Sequence, residues 1–444
     1  MRLVESKETR EISSNASWLI FSRIFRIALG ILVVTLTARY LGPLQYGSLS
    51  FAVSFAALFG LLTRLGLRNI VVRELVEKPH QINEVLGSSF YLISGAGVAA
   101  SLAGIVSISL LRPGDHMSLL LVALCTSSHI FAAFEVIDYY FQSRVRSRFT
   151  VIARSSAFLF FSFVKIGLVL FRAPLPLFAI AIIGEILFES IACVIVYKMR
   201  VSPLRIWTFD KKIAVSLFTA SLPLLLSSIA IFGYTRIDQI MIGQFLGDNE
   251  VGIYSIAVRF STAWFFVPTA IANSLFPALL KAQKRDHSLY TSILQKLSDI
   301  MVFLSFLAAV LVTILAKPMT VLLFGEAYQQ SADILVLHVW CGIFVSIGIA
   351  SQHWFIAENL QRYTLYRTLA GCVVNIGLNI AVIPIFGLKG AAITTIVSQG
   401  VASYLFNGVN AKTRQIFAIQ SKALFIPRLP LALISYVRTA ITQK

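Results

Sequence analysis

The stretch IFGYTRIDQIMIGQFLGDNEVGIYSIAVRFSTA, residues 231–263, determines how the chain is organised. Its first half predicts a hydrophobic helix that carries Arg236 and Asp238, and a short polar break follows at residues 246–250. A second helix is predicted after the break, with Arg259 in its third turn. Charged side chains are rare within such apolar segments, so this stretch is a candidate functional region.

The same pattern occurs 205 residues earlier, at residues 41–55. When this segment is aligned with residues 246–260, seven of fifteen positions are identical. The identical pairs are Leu41/Leu246, Gly42/Gly247, Gly47/Gly252, Ser50/Ser255, Ala52/Ala257, Val53/Val258 and Phe55/Phe260. Shared membrane composition is the alternative explanation, but we favour a duplication, because two halves in the same orientation are a known plan of secondary transporters.

The composition of the 444 residues is that of a membrane protein, with 57% apolar and only 13% charged residues. A soluble chain of this length needs more charge to cover its surface. A net charge of +18 would suggest nucleic acid as the partner of a soluble protein. Here the basic residues fall between apolar runs, as the positive-inside rule predicts, so no nucleic-acid partner is expected. No cleavable signal peptide is expected in the first 15 residues, which mix acidic with basic side chains.

Apolar runs of about 20 residues, the length that crosses a hydrocarbon core, recur along the chain. We predict an all-α polytopic membrane protein with twelve transmembrane helices, because backbone groups cannot stay unpaired in lipid and the runs are too long for barrel strands. The predicted spans are residues 17–38, 44–65, 85–111, 117–141, 150–171, 175–197, 213–242, 251–280, 290–316, 332–356, 363–385 and 391–411.

The spans divide the chain into two lobes of six helices. The predicted parts are a cytoplasmic N-tail at 1–16, an N-lobe at 17–197, a basic cytoplasmic linker at 198–212, a C-lobe at 213–411 and a tail at 412–444. Within the tail, residues 424–441 are apolar but are interrupted by prolines and arginines. We favour a helix in the membrane interface there over a thirteenth span.

The basic residues decide the predicted orientation. Of the 38 Lys and Arg residues, five lie in the odd-numbered loops and five are counted within spans. The other 28 are counted on the side of both tails, together with the residues that flank the loops of that side. This bias predicts that both termini are cytoplasmic. The opposite loops are short and rich in glycine and proline, so no external catalytic domain is expected and the function must lie within the membrane.

Ten charged side chains are predicted inside the spans. At about 2.5–3.5 kcal/mol for each charge at mid-bilayer, ten lipid-facing charges would cost on the order of 30 kcal/mol. They must therefore face one another or a water-filled cavity, and their spacing places pairs on one helical face. The basic residues are Arg23, Arg26, Lys165, Arg236 and Arg259, the acidic residues are Glu135, Asp138, Glu185, Glu189 and Asp238, and Asn375 and Asn379 add polar groups at helical spacing.

A cavity lined by arginine and lysine suits an anionic ligand, because guanidinium groups bind phosphate bidentately and stay charged at low dielectric. We expect the basic residues to bind the phosphate head of a transported substrate, and one of the acids to carry a coupling H⁺ or Na⁺. Structural alternatives stay open for several residues. They are ion pairs of Glu135 and Asp138 with Arg144 or Arg146, interfacial positions for Arg23 and Arg26, and interior roles for His338 and His353 instead of a proton relay.

Other chemistries are not indicated. The four cysteines are scattered through apolar segments without a C-x-x-C, so neither a metal site nor disulfides are expected. Neither G-x-x-x-x-G-K-[ST] nor H-E-x-x-H occurs, which excludes a P-loop ATPase and the zinc hydrolases of that motif. We expect no catalytic residues and no bound cofactor, because an ion gradient can supply the energy of transport.

Four segments carry a resemblance to one family. ARYLGPLQYGSLSFA (38–52), RIDQIMIGQFLGDNEVGIYSIA (236–257), FGEAY (324–328) and FGLKGAA (386–392) are similar to the O-antigen or O-unit flippases of the Wzx type. These belong to the multidrug/oligosaccharidyl-lipid/polysaccharide exporter superfamily. The resemblance covers nearly the whole chain in order, and the Asp-Gln-x-x-x-Gly…Gly-x-Tyr-x-x-Ala element is its most specific part.

The resemblance implies two six-helix lobes around a central cavity and transport by alternating access. It implies that undecaprenyl-diphosphate-linked oligosaccharide moves from the cytoplasmic to the periplasmic leaflet of a bacterial inner membrane, in the biosynthesis of lipopolysaccharide. Membrane lipids, a polysaccharide polymerase and a chain-length regulator are the implied partners. Cationic cavity residues are proposed to meet the pyrophosphate in related flippases, and depth and helical face select the candidates here. They are Arg23, Arg26, Lys165, Arg236 and Arg259.

Three other functions stay open. A drug/cation antiporter of the same superfold would need dominant acidic residues in the cavity, whereas cations here are at least as numerous. A membrane-embedded polysaccharide polymerase or glycosyltransferase would need a large external loop or an acidic metal-binding motif. A scaffold that recruits glycosyltransferases through its basic cytoplasmic loops is the third alternative.

Overall fold

The computed structural model describes residues 2–424, with the side chains of residues 26–233 and 235–424. Apart from Leu424, the predicted interfacial helix at 424–441 lies outside the described residues, and so does the side chain of Arg23. Within the described part, the chain consists of α-helices, 3-10 helices and turns, without a strand. The predicted all-α class is therefore confirmed.

The described chain contains fifteen α-helices, numbered here in chain order. They are α1 (Arg2–Arg64), α2 (Leu67–Glu77), α3 (Ile82–Leu111), α4 (His116–Ser127), α5 (Val136–Ser143), α6 (Arg148–Leu170), α7 (Leu175–Arg200), α8 (Lys211–Phe245), α9 (Asp248–Ala263), α10 (Phe266–Arg285), α11 (His287–Phe324), α12 (Gln329–His338), α13 (Cys341–Ala357), α14 (Gln361–Ser403) and α15 (Arg414–Leu424). The 3-10 helices are Pro79–Gln81, Ser128–Glu135, Leu204–Ile206, Glu326–Tyr328, Leu405–Gly408 and Ala411–Thr413.

Among the described residues, nine helices are long and apolar enough to cross a membrane. The number is ten if the bent pair Glu326–His338 and Cys341–Ala357 forms one span. Two of these segments, Arg26–Glu77 and Gln361–Gly408, have 52 and 48 residues, far more than the roughly 20 that one crossing needs. The backbone leaves helical geometry at Gly42 inside α1 and at Gly387 inside α14. Each of these two helices therefore covers one predicted span and most of the next.

The chain divides into two compact units. Unit 1 comprises Met1–Gly42 and Leu67–Ala220, and unit 2 comprises Pro43–Gly66 and Ser221–Lys444. The predicted lobe boundaries on either side of the basic linker stay a prediction. The segment Pro43–Gly66 groups with unit 2, although the sequence predicts it within the N-lobe.

The basic linker after α7 is folded against α3 within unit 1. The indole of Trp207 donates to the Tyr197 hydroxyl at 3.2 Å. The Ser88 hydroxyl donates to the Asp210 carbonyl at 3.1 Å and accepts from the Asp210 amide at 3.0 Å. A Cβ added at Gly87 would overlap the linker backbone. The linker is therefore a structured part of unit 1, held by α3 and the end of α7.

The two copies of the repeated pattern meet inside unit 2. A Cβ added at Gly47 would overlap the carbonyl oxygen of Asp248, and one added at Gly252 would overlap the carbonyl oxygen of Pro43. The Ser48 hydroxyl also donates to the Asp248 carboxylate at 2.7 Å. No side chain fits between the two backbones, so this close approach requires the aligned glycines.

Helix α15 is packed into unit 2. Ile416 and Ile419 are buried in a hydrophobic cluster with residues of α10, α11 and α13. The buried amide of Gln420 donates to the carbonyls of Ile347 at 3.2 Å and Ser403 at 3.0 Å. The described beginning of the predicted tail is therefore part of the unit 2 core.

Candidate functional site

Helices α5, α6 and α7 carry a ladder of ion pairs in unit 1. Arg154 donates to Glu189 at 2.5 Å and to Asp138 at 3.0 Å, and Lys165 donates to Glu185 at 2.7 Å. The two cations of α6 are eleven residues apart, about three helical turns, and the two glutamates of α7 lie one turn apart. A short turn joins α6 and α7 as an antiparallel hairpin, which brings these cations and acids against each other.

Asp138 is saturated with hydrogen-bond donors. Besides Arg154, it accepts from the hydroxyl of Thr150 and from the amide of Gln142, both at 2.5 Å. Its side chain is only 4% exposed. A buried carboxylate is stable only when such donors replace water, and here a cation and two neutral groups do so.

The predicted alternative for Asp138, an ion pair with Arg144 or Arg146, is wrong. Both arginines lie in the turn after α5 with exposed side chains, whereas α6 brings Arg154 against the carboxylate. Glu135 lies at the end of the preceding 3-10 helix and accepts a hydrogen bond from a tyrosine hydroxyl four residues later, at 3.4 Å.

Arg154 is a charged residue of the ladder that the predicted site does not include. It lies near the start of α6, where it counts among the basic residues that are predicted on the cytoplasmic side. The hairpin between α6 and α7 is the signal that identifies it, since Arg154 lies eighteen residues before Arg172 and Glu189 lies seventeen residues after it. Both glutamates, predicted as carriers of a coupling ion, are held by cations, and Lys165 is neutralised by its partner.

Arg26 is the other described basic residue of unit 1 in the predicted set. Its side chain is exposed, and its guanidinium lies 5.1 Å from the ring centroid of Phe158 on α6. This is the geometry of a cation–π contact. The interaction holds the guanidinium against α6 while leaving its N–H groups free for another partner.

Two arginines of unit 2 that were predicted as site residues form no ion pair among the described side chains. Arg236 on α8 and Arg259 on α9 are both exposed, and neither is paired with an acid there. Their charges are close enough to repel each other, and Arg259 is also within electrostatic range of Tyr46. They lie eleven residues before and twelve after Gly247, the turn between the two helices, so the hairpin brings them to a similar depth.

Asp238 is a buried carboxylate of unit 2, only 3% exposed. Its Oδ1 accepts from the amide of Asn379 at 2.7 Å. Its Oδ2 accepts from the hydroxyls of Thr395 at 2.7 Å and Tyr254 at 3.0 Å. Asn379 also donates to Asn375 at 3.1 Å. Among the described side chains, the hydrogen-bond partners of Asp238 are therefore neutral groups, in contrast to the acids of unit 1.

Asn375 and Asn379, predicted to line a substrate cavity, are fully buried on α14. The structure brings them to Asp238, and Asn375 also donates to the hydroxyl of Ser398 at 3.2 Å. The side-chain oxygen of Asn379, Oδ1, is buried without a hydrogen-bond partner among the described groups. The network therefore combines a buried carboxylate with amide and hydroxyl donors, and its acceptor atoms are oxygens, the atoms that hard cations prefer.

The two histidines of the predicted alternatives have different surroundings. His338 is buried, with Nδ1 at 2.7 Å from the Ser261 hydroxyl, and its ring meets the Tyr254 ring edge-on at 6.0 Å. His353 packs against Phe276 with ring centroids 4.6 Å apart, and its Nδ1 has no hydrogen-bond partner among the described groups. His338 therefore has the interior role, one aromatic contact away from the Asp238 network.

Comparisons with known proteins give a consistent assignment. A family described as polysaccharide biosynthesis protein matches residues 12–283, and the MatE family matches residues 223–381. The chain is 26% identical over 207 residues to the probable low-salt glycan biosynthesis flippase Agl15 of Haloferax volcanii, covering 45% of this chain and 44% of that protein. It is 28% identical over 202 residues to the probable flippase AglR of the same organism, covering 43% and 41%. The chain thus matches less than half the length of these curated relatives.

The fold is shared with a solved flippase structure. The lipid II flippase MurJ in an inward closed conformation aligns with a TM-score of 0.69 over 94% of this chain and 92% of that chain, at 14% identity. At such low identity, the structural alignment shows a common fold alone. This fold confirms the predicted multi-pass helical architecture. The polysaccharide biosynthesis match covers well over half of the chain. This chain therefore belongs to the family of polysaccharide biosynthesis proteins.

Proposed function

We propose that this protein is a flippase that moves undecaprenyl-diphosphate-linked oligosaccharides from the cytoplasmic to the periplasmic leaflet of a bacterial inner membrane. Membership of the polysaccharide biosynthesis family, the fold shared with a lipid II flippase and the names of the two Haloferax relatives support a lipid-linked glycan as the substrate. Because the two relatives and the solved structure are named as flippases, they also support a transporter without catalytic residues. A polysaccharide polymerase and a chain-length regulator stay predicted partners.

The observation that carries the proposal is the pair of arginines on the α8–α9 hairpin. Arg236 and Arg259 repel each other and have no ion pair among the described side chains. A diphosphate group would offset both charges and accept bidentate hydrogen bonds from each guanidinium. Lys165 is less suited to this role than predicted, because Glu185 neutralises it at 2.7 Å. We therefore assign the diphosphate head to Arg236 and Arg259.

Asp238 is the proposed coupling site for a transported cation. At this buried point the Asp238 carboxylate accepts hydrogen bonds from the Asn379 amide and the Thr395 hydroxyl, and the side-chain oxygen of Asn379 has no hydrogen-bond partner among the described groups. A proton or Na⁺ bound at this point would neutralise the carboxylate. Asp238 lies two residues from Arg236 on α8. The proposed coupling site and the proposed diphosphate site therefore share this helix.

Reconstitution of the full chain in vesicles tests the proposal. The vesicles contain a polyprenyl-diphosphate-linked oligosaccharide with a fluorescent label, and a membrane-impermeant quencher reports the label on the outer leaflet. We expect flipping well above that of protein-free vesicles, accelerated by a gradient of H⁺ or Na⁺. A rate equal to the protein-free rate would contradict the proposal. In cells, loss of the gene should accumulate single lipid-linked units on the cytoplasmic leaflet.

A drug/cation antiporter is the second candidate. The MatE match over residues 223–381 and the buried carboxylate of Asp238 favour it. Arg236 and Arg259 argue against it, because they would repel an organic cation. Vesicles loaded with a cationic dye distinguish the two functions, since an antiporter exports the dye in exchange for H⁺ or Na⁺ and a glycan flippase leaves it in place.

A further inference from the structure

We propose that a cavity at one end of unit 1 binds the phosphate group of an anionic membrane lipid. The cavity has a volume of about 330 Å³. It lies where the turn after α5 and the start of α6 meet the end of α7. We name it the arginine pocket, after four of its lining residues. The residues that carry the argument are Tyr140, Arg144, Arg146, Arg148, Phe149 and Arg200.

The four arginines form no ion pair among the described side chains. In the same unit, Asp138, Glu185 and Glu189 are paired with Arg154 and Lys165 instead. Four cations around one cavity repel one another, and an anion in the cavity would offset this repulsion. The charge pattern therefore favours an anionic ligand.

Aromatic rings hold three of the guanidinium groups in place. Arg144 lies 5.9 Å from the ring centroid of Tyr140. Arg148 and Arg200 share the ring of Phe149, at 4.9 and 5.4 Å. A ring against the flat face of a guanidinium leaves its N–H edge free to donate hydrogen bonds, and this edge matches phosphate oxygens. The donors of the pocket are thus oriented before any ligand binds.

The position of Arg148 is unfavourable for a purely structural arginine. It is the first residue of α6, where the helix dipole is positive, and Ser147 before it makes no side-chain cap. The first turn of α6 also contains no acidic residue. An anion at this point would interact favourably with Arg148 and with the positive end of the helix dipole. Arg200 lies in the last turn of α7, where the dipole already favours a cation.

Exposed apolar side chains beside the pocket favour a lipid over a soluble anion. Val145, between Arg144 and Arg146, is 92% exposed, and Met199 is 76% exposed. Val145 also has a φ of 56°, a backbone region that β-branched residues rarely adopt. A lipid places its phosphate at the arginines and its apolar part beside these side chains. Basic clusters next to membrane spans attract anionic lipids in this way.

Lipid binding to the purified full chain tests the inference. Phosphatidylglycerol is titrated into the protein in a neutral detergent, with phosphatidylcholine as the reference lipid, and bound lipid is counted by native mass spectrometry. The pocket variant is Arg144→Gln/Arg148→Gln. The matched control is Arg205→Gln/Lys212→Gln, which removes the same charge from exposed residues elsewhere in unit 1. We expect binding about tenfold weaker in the pocket variant, because charge-assisted hydrogen bonds are lost, and nearly unchanged in the control.

A second variant keeps the result interpretable if the first folds poorly. Phe149→Leu preserves every charge but removes the shared ring, and we expect about threefold weaker phosphatidylglycerol binding. Equal losses in the pocket variant and its control, or equal binding of phosphatidylcholine, would overturn the inference. Displacement of the lipid by an equal concentration of inorganic pyrophosphate would overturn the lipid assignment and identify a soluble anion as the ligand. The pocket shares no residue with Arg236, Arg259 or Asp238, so its failure leaves the proposed function intact.

Discussion

The charged side chains of the two units are held in opposite ways. In unit 1, Arg154 and Lys165 are matched to carboxylates across a helical hairpin. In unit 2, Arg236 and Arg259 have no ion pair among the described side chains, and Asp238 is surrounded by neutral donors. The number of charges within spans is therefore a poor guide to a binding site. The charges that lack a partner are the ones that can act on a ligand.

The largest effect is expected from Arg154→Leu, which breaks the ladder of unit 1. It leaves Asp138 and Glu189 without their cation, and loss of one partner of a buried pair costs about 3–5 kcal/mol. Because the Arg154 side chain is 28% exposed, we expect the lower end of this range. The melting temperature of the purified protein in detergent measures it.

The control for the ladder removes all three charges at once. The variant Arg154→Leu/Asp138→Asn/Glu189→Gln leaves no unpaired charge, so it should recover most of the lost stability. An unchanged melting temperature in the single variant would show that water already screens the carboxylates. Ion pairing would then not distinguish the charges of unit 1 from those of unit 2.

The next largest effect is expected from Arg236→Gln/Arg259→Gln. Each guanidinium contributes a charge-assisted hydrogen bond of about 1.5 kcal/mol or more to the diphosphate, so flipping should fall about 100-fold. The melting temperature should stay the same or rise, because a repulsion is removed. The matched control, Lys281→Gln/Arg285→Gln, removes two exposed cations of α10. Equal rates for the two variants would end the assignment of the diphosphate to this pair.

A smaller effect is expected from Asp238→Asn. The side chain keeps its shape but cannot carry the charge that a cation neutralises, so flipping should lose its response to an ion gradient and slow by about tenfold, or about 1.4 kcal/mol. Flipping rates with and without H⁺ and Na⁺ gradients measure the effect. Glu358→Gln is the control, since that carboxylate is hydrogen-bonded to Tyr290 outside the network. A variant that still responds to the gradient would exclude Asp238 as the coupling site.

The smallest effect is expected from exchanging Lys165 and Glu185. Lys165→Glu alone brings two carboxylates together, whereas Lys165→Glu/Glu185→Lys restores the pair with its charges reversed. We expect a coupling energy of about 1 kcal/mol between the two positions from a double-mutant cycle of melting data, since both side chains are partly exposed. Flipping by the exchanged variant should match that of the unaltered protein. A strong loss of flipping in a stable exchanged variant would show that Lys165 also contacts the substrate.

The spans and their breaks could be predicted from the sequence because both depend on local chemistry. Apolar runs specify helices in lipid, and the Gly-Pro pair at Gly42 and the glycine at Gly387 mark the points where α1 and α14 leave helical geometry. The aligned pattern at residues 41–55 and 246–260 also indicated a related pair of segments. Their direct contact needs the packing of unit 2, which no local pattern contains.

The partners of the charged residues were harder to predict because they depend on helix register. The alternative considered for Asp138 was an ion pair with Arg144 or Arg146 in the following turn, but its ion pair comes from the next helix, at Arg154. Asn375 and Asn379 were correctly placed on one helical face. Their partner Asp238 is more than a hundred residues earlier in the chain, and spacing alone cannot identify a contact over that distance.

The crossing of Gly47 and Gly252 has a consequence for how this protein can evolve. After a duplication, either copy can ordinarily diverge on its own. Here the main chains of the two copies are in direct contact, so a methyl group gained at Gly47 or Gly252 forces the other copy to move. Selection therefore acts on the two segments together, and steric exclusion helps to maintain their likeness.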